Sequence, residues 1–187
     1  VTESLQNCRP YQALSYLWGD DLPNKPITIL TYKPTLKSKL PTLRDLRAPK
    51  LFTRSNLFEA LHQLRQRDEP VTLYVDALCI NHENASERHL QASRTQEIFN
   101  KASNVIVWLG IDTPANKMAF EFIPKVLDMN GFDRLIKEDS DTTNQCWDAL
   151  AELMRNRLFG RRWVIQELAV ARRAALHCGS HTIQWPD

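Results

Sequence analysis

Short apolar runs alternate with helically spaced ones along the first half of this chain, the pattern of a parallel sheet with helices on its faces. Tyr11 to Tyr16 reads as the first strand, and it ends in Leu17-Trp18-Gly19-Asp20, a turn rich enough in Gly and Asp to line a site. Residues 21–54 carry Pro23, Pro26, Pro34, Pro41 and Pro49 around one β-type run, Ile27 to Leu30, and read as an irregular excursion with an edge strand. A helix is expected from Asn56, capped by its own side chain with Glu59 reaching back, and with Leu57, Ala60, Leu61 and Leu64 inward. Val71 to Ala77 is the second core strand and leads into Leu78-Cys79-Ile80-Asn81. Asn84 and Glu87 repeat the capping-box spacing ahead of a long helix to about Ala102, with Leu90, Thr95, Ile98, Phe99 and Ala102 inward. Val105 to Leu109 is apolar on both faces, as a central parallel strand requires, and Gly110 ends it.

In the second half, Ala115 to Leu127 has helical spacing, and the polar stretch Asp128 to Asn144 reads as a mobile loop. Cys146 to Leu158 and Arg161 to Ala174 form two further helices, broken near Gly160. Ala175 to Cys178 and Thr182 to Trp185 close the sheet around Gly179-Ser180. These elements predict an α/β fold with an open, mainly parallel sheet and a small edge or hairpin extension, in one domain over residues 1–187.

Composition narrows the function classes. A net charge of +2 from 24 basic and 22 acidic residues, dispersed along the chain, supports neither a nucleic-acid surface nor an acidic tail. The longest apolar runs are strand-sized, well short of the roughly 20 residues of a membrane span. The start, Val1-Thr2-Glu3-Ser4, has neither the charge nor the apolar core of a secretory signal, although an excised piece would look the same. Cys8, Cys79, Cys146 and Cys178 are too scattered for a disulfide framework, which favours a reducing, cytoplasmic setting.

Candidate chemistry starts from the rule that ligands of open parallel sheets sit outside the carboxyl ends of the strands. Ser15 to Asp20, Asp76 to Asn81 and Trp108 to Asp112 occupy those places. Asp76 is either a site residue or a turn cap, and Trp18 and Trp108 either stack on a flat ligand or belong to the core. Phosphate-binding glycine loops are absent from a chain with 5 glycines. Cys79-x-x-His82 and Cys178-x-x-His181 have the spacing of zinc ligands, but each pair adjoins a strand instead of a knuckle, and no metal site is assigned.

The most informative segment is Arg161-Arg162-Trp163-Val164-Ile165-Gln166-Glu167-Leu168. At about 100° per residue, with Trp163 at zero, Val170, Glu167, Ala171, Val164 and Leu168 fall at roughly −20°, 40°, 80°, 100° and 140°. Glu167 therefore sits inside an apolar stripe. A carboxylate there is paired, hydrogen-bonded, protonated, or facing a cleft, because an unpaired buried charge costs several kcal/mol. Arg161 or Arg162 is the candidate ion-pair partner.

Four ordered motifs closely resemble the fungal heterokaryon-incompatibility (HET) domain. They are Tyr11-Gln12-Ala13-Leu14-Ser15-Tyr16-x-Trp18-Gly19-Asp20, Val75-Asp76-Ala77-x-Cys79-Ile80-Asn81, Val107-Trp108-Leu109-Gly110 and Arg162-Trp163-Val164-Ile165-Gln166-Glu167. Glu87-Arg88 and Gln91 lie between them and Cys178-Gly179 follows, so the resemblance spans about residues 11–185. His82 and Thr95 depart from the family pattern, which has Gln and Met there.

HET domains are associated with fungal non-self recognition and regulated cell death, usually as one part of a longer protein, so the chain reads as an excised domain. They are distantly similar to Toll/interleukin-receptor (TIR) domains, which are flavodoxin-like. In TIR enzymes a Trp-x-x-x-Glu-Leu segment supplies the catalytic Glu of NAD hydrolysis, and Trp163 to Leu168 matches that spacing. The resemblance implies Glu167 as catalytic residue, with Ser15, Trp18, Gly19, Asp20, Asp76, Arg162 and Trp163 around the substrate. NAD would be a substrate, and no cofactor is implied. The alternative it leaves open is a non-enzymatic module that self-associates or recruits other death-signalling domains. A zinc-stabilised interaction domain is a third reading.

Overall fold

A strand buried on both faces belongs at the centre of a sheet, and Asn104–Trp108 occupies that place. The computed structural model describes residues 5–30 and 48–185. Numbered in chain order, the elements of the larger compact unit, residues 1–17 and 72–187, are β1 (Gln12–Tyr16), β4 (Leu73–Tyr74), α2 (Asp76–Cys79), α3 (Ala85–Ser93), α4 (Thr95–Lys101), β5 (Asn104–Trp108), α5 (Pro114–Leu127), α6 (Phe132–Lys137), α7 (Asp141–Met154), α8 (Arg162–Ala169), β6 (Ala174–Cys178) and β7 (His181–Gln184). A second unit, residues 18–71, holds β2 (Lys25–Thr28), β3 (Lys50–Thr53) and α1 (Ser55–Leu64).

The main sheet runs β4-β1-β5-β6-β7, with every pairing parallel except β6 with β7. Counted without the second unit, that order is the 2-1-3-4-5 of flavodoxin-like folds. The register sets Ser15 beside Val107 and Tyr16 beside Trp108, so the ends of β1 and β5 lie level. Val105, Val107, Ile98, Phe99, Leu158, Val164 and Leu176 form one buried cluster. Helix α4 packs on α8, and α5 packs on α7 through an edge-to-face contact of Phe122 with Trp147, centroids 4.9 Å apart.

Several elements differ from the sequence reading for identifiable reasons. The excursion contains two antiparallel strands: β2, where Pro26 is tolerated because a two-stranded ribbon consists of edges, and β3, which the sequence reading did not find. Residues 31–47, with Pro34 and Pro41, lie outside the described residues. Helix α1 begins at Ser55, and its first free amide is taken by Asp21, whose Oδ2 accepts from Ser55 N at 2.9 Å, instead of by an Asn56 cap.

The second core strand shrinks to Leu73–Tyr74 because Asp76 opens a helical turn, its Oδ1 accepting from Ala77 N at 2.7 Å. Asn84 does cap, accepting from Ser86 N and Glu87 N, but Glu87 reaches the amide of Asn81 instead of closing the box. The long helix divides at Arg94, where Ser93 Oγ and Thr95 Oγ1 bond back to the carbonyls of Leu90 and Gln91 and compete with the helical ladder. Leu90, expected inward, is 54% exposed on α3. The expected loop at 128–144 contains α6 and the start of α7, which Ser140 caps through Thr143 N.

Candidate functional site

Helix α8 is held at both ends, and those anchors decide where Glu167 points. Arg161 donates from its guanidinium to the Tyr16 carbonyl at 2.5 Å, tying the start of α8 to the end of β1. Asn156 Nδ2 donates to Leu109 O at 2.8 Å and fixes the turn before α8 to the end of β5. Asn100 Nδ2 donates to Val170 O at 2.9 Å and ties the far end to α4.

Between these anchors Val164, 2% exposed, and Leu168 pack into the core. On the helical wheel that pair centres near 120°, so the buried ridge is turned by roughly 60° from the centre of the stripe read from sequence. Glu167 moves to the flank of the ridge and is half-buried, and Trp163 moves out to 50% exposure. The sequence reading had Trp163 in the apolar stripe, but it stands at the rim of a cavity.

That cavity holds about 280 Å³ and opens to solvent. Leu14, Ser15 and Tyr16 of β1 and Tyr74 of β4 bring it to the carboxyl edge of the sheet, with Asp76, Ile80 and His82 after β4. Arg88 and Ala92 of α3 and Thr95 and Phe99 of α4 form another wall, and Arg161, Trp163 and Glu167 close it from α8. Tyr11 donates from its hydroxyl to Ile98 O at 2.6 Å, which seats α4 on the β1 face carrying Tyr11, Ala13 and Ser15.

The electrostatics centre on Glu167. Burial raises the pKa of its carboxyl; the Ser15 hydroxyl and the Arg161 guanidinium oppose that rise, and the negative charge of Asp76 adds to it. Ser15 is 3% exposed, and among the described residues its Oγ has no hydrogen-bond partner of ordinary geometry, which leaves the Glu167 carboxyl, whose pKa its hydroxyl lowers, as the group for it to approach. Among the described residues Glu167 forms no ion pair within 4 Å; Arg161, whose NH1 is bonded to the Tyr16 carbonyl, acts on it through charge alone, and Arg162 is exposed and does not line the cavity. Burial also pushes the Tyr74 phenol well up, helped by the negative charges of Asp76 and Glu167.

Ser15, Asp76, Trp163 and Glu167 of the sequence-derived set thus come together. Trp18, Gly19 and Asp20 belong to the second compact unit, and the described residues that line the cavity belong to the first. Gly19 there has φ 81°, and its carbonyl accepts from Arg54. Trp108 is 1% exposed and serves the core.

Tyr74 and Arg88 carry no signal in the sequence as contacts, apart from the place of Glu87-Arg88 between two motifs, and Arg161 is marked there only as a candidate ion-pair partner of Glu167. The two Cys-His pairs do not meet as a zinc site. Cys178 Sγ donates to Ile111 O, His181 pairs with Asp112 at 3.2 Å and His82 lies at the cavity. Among the described residues no group of three or more His, Cys, Asp or Glu is placed to hold a metal. Nor is any helix among them long and apolar enough to cross a membrane.

Residues 11–167 match the family described as Heterokaryon incompatibility protein (HET), a match that ends on Glu167. Heterokaryon incompatibility protein 6, OR allele, from Neurospora crassa is 28% identical over 198 aligned residues. The alignment covers 90% of this chain but 28% of that protein, so the chain spans less than a third of its relative's length. No solved structure matches at a significant level. A family match running from the first strand to the half-buried carboxylate of α8 establishes that the chain belongs to the heterokaryon-incompatibility (HET) family.

Proposed function

We propose that this domain acts in fungal heterokaryon incompatibility by hydrolysing the N-glycosidic bond of NAD or a related nucleotide, with Glu167 as the catalytic carboxylate. The observation that carries the reading is a half-buried Glu167, without an ion pair among the described residues, lining a cavity open to solvent at the carboxyl edge of a flavodoxin-like sheet.

One carboxylate suffices for this chemistry, whereas a glycosidase that expels an alkoxide normally uses two. The nicotinamide nitrogen of NAD is already cationic. As its bond to ribose C1′ breaks, the bonding electron pair moves to that nitrogen and nicotinamide leaves neutral without a general acid. Water then adds to C1′ and gives up a proton to solvent. The positive charge that develops on the ribose in between is what Glu167 stabilises, and partial burial strengthens the interaction. A cationic substrate also favours the ionised form of a carboxyl that burial alone pushes toward neutrality. Trp163 at the rim is placed to cover one side of the bound substrate, leaving the reacting carbon open to the attacking water.

The test is nicotinamide release from NAD by the purified chain, alone and in forced oligomers, set beside toxicity in cells. Glu167→Ala and Glu167→Gln abolish both while the fold persists. Wild-type turnover by Glu167→Gln overturns the assignment.

A second reading, a non-enzymatic module that self-associates, draws on the solvent side of α8, where Ile165 is 63% and Trp163 50% exposed. Toxicity that survives Glu167→Ala, with no cleavage in either assembly state, favours it.

A further inference from the structure

Charges of both signs line the cavity from different elements. The negative charge of Asp76 reaches Glu167, and Arg161 is the cation that steadies the ionised form of Glu167. Arg88 also lines the cavity. It belongs to a different wall, on α3, and forms no ion pair among the described residues. Its guanidinium is braced from behind, donating from NH1 to the carbonyl of His82 at 3.1 Å. The imidazole of His82 in turn lies 3.1 Å through Nε2 from the carbonyl of Asp76. A guanidinium carries five N–H donors in a planar fork, so most of Arg88's remain for a ligand.

A cavity lined by the Glu167 carboxyl from α8 and by a braced Arg88 guanidinium from α3, neither in an ion pair among the described residues, suits a ligand that carries both a positive and a negative group. Its volume of about 280 Å³ falls just below the roughly 300–1,000 Å³ of small-molecule sites, a size that suits one nucleotide unit and not a whole dinucleotide. We infer that Arg88 forms a phosphate subsite, so that the cavity takes a nucleoside 5′-monophosphate unit with its cationic base and ribose at Glu167 and its phosphate at Arg88. For NAD this is the nicotinamide ribonucleotide half, with the adenylate half outside. The inference rests on the nucleotide reading of the site and adds which unit enters and what recognises it. A planar guanidinium suits this role because it meets phosphate oxygens in pairs.

The experiment titrates nicotinamide mononucleotide, nicotinamide riboside and inorganic phosphate separately into the chain and into Arg88→Ala. Amide NMR shifts of Ser15 and Glu167 report binding, and free nicotinamide is measured in the same samples. The expected result is that the mononucleotide binds on the order of tenfold more tightly than the riboside, the gain of a charge-assisted hydrogen bond. Arg88→Ala erases that preference and leaves riboside binding within about twofold, while Arg88→Lys restores part of it. Equal binding of mononucleotide and riboside, a preference that survives Arg88→Ala, or no binding of either overturns the inference. So does inorganic phosphate binding as tightly as the mononucleotide, which would mean a bare anion site. Nicotinamide release is scored independently: binding as described without release would count against the hydrolytic reading and leave the Arg88 subsite standing.

Discussion

Replacing Ser15 by alanine removes one buried hydroxyl, and the sign of the resulting stability change tells whether the Ser15–Glu167 interaction exists. Ser15 is 3% exposed, its Oγ makes no hydrogen bond of ordinary geometry among the described residues, and its hydroxyl lowers the pKa of the Glu167 carboxyl. A hydrogen bond to a charged group contributes about 1.5–3 kcal/mol, and a neutral one about 0.5–1.5 kcal/mol. Glu167 is only half-buried, so solvent screening places this bond at the low end of the charged range, about 1.5 kcal/mol.

Ser15→Ala should therefore destabilise the chain by about 1.5 kcal/mol where Glu167 is ionised, and by less than about 1 kcal/mol where it is protonated. Losing the hydroxyl also drives the Glu167 carboxyl still higher, because the group that opposed its rise is gone. Urea unfolding well above and just below the ordinary carboxyl value of 4.5 measures the first effect, and carboxyl-detected NMR titration of Glu167 the second. If Ser15 is instead an orphan, its removal relieves an unsatisfied buried group and stabilises the protein by about 1–3 kcal/mol at every pH. A stabilised variant with an unmoved Glu167 titration would refute the pairing.

Glu167→Gln should be more stable than the wild type at neutral pH. The folded carboxyl titrates above its unfolded value of 4.5, so whatever stability the protonated group brings is complete below 4.5 and lost as pH rises through the folded pKa. The advantage of Gln should shrink to nothing in acid, as unfolding curves across that window would show. Gly179→Ala should cost about 2–5 kcal/mol in thermal or urea unfolding, because φ is +51° and a Cβ would lie 2.4 Å from Asp112 Cβ. Asn84→Ala removes the cap of α3, costing about 1 kcal/mol. Because α3 carries Arg88, the same variant should also weaken mononucleotide binding, measured by the NMR titration.

Much of this protein was legible in the order of its residues. The run Val105 to Leu109 is apolar on both faces, and only a central parallel strand buries both, so the architecture followed from pattern alone. The Pro114–Leu127 helix and the closing β6 and β7 followed for the same reason, because periodicity is a local property. Local competition was harder to read. Asp76 turned the end of a strand into a helical turn, and Ser93 with Thr95 split one helix into two, each through bonds that a hydrophobicity pattern does not record.

What the chain's own order left open was the state of Glu167. Its sequence neighbours allowed an ion pair, a neutral acid or a cleft, and they placed Trp163 inside the stripe. Three long-range hydrogen bonds, from Arg161 to β1, from Asn156 to the end of β5 and from Asn100 to Val170, set the rotation and position of α8. That rotation put Val164 in the core, Trp163 at the rim and Glu167 beside Ser15, which lies 152 positions earlier in the sequence. Arg88 joined the same cavity from a helix whose local pattern marked it only as an exposed face. Which polar groups share a cavity depends on how separate elements dock, and sequence spacing does not record docking.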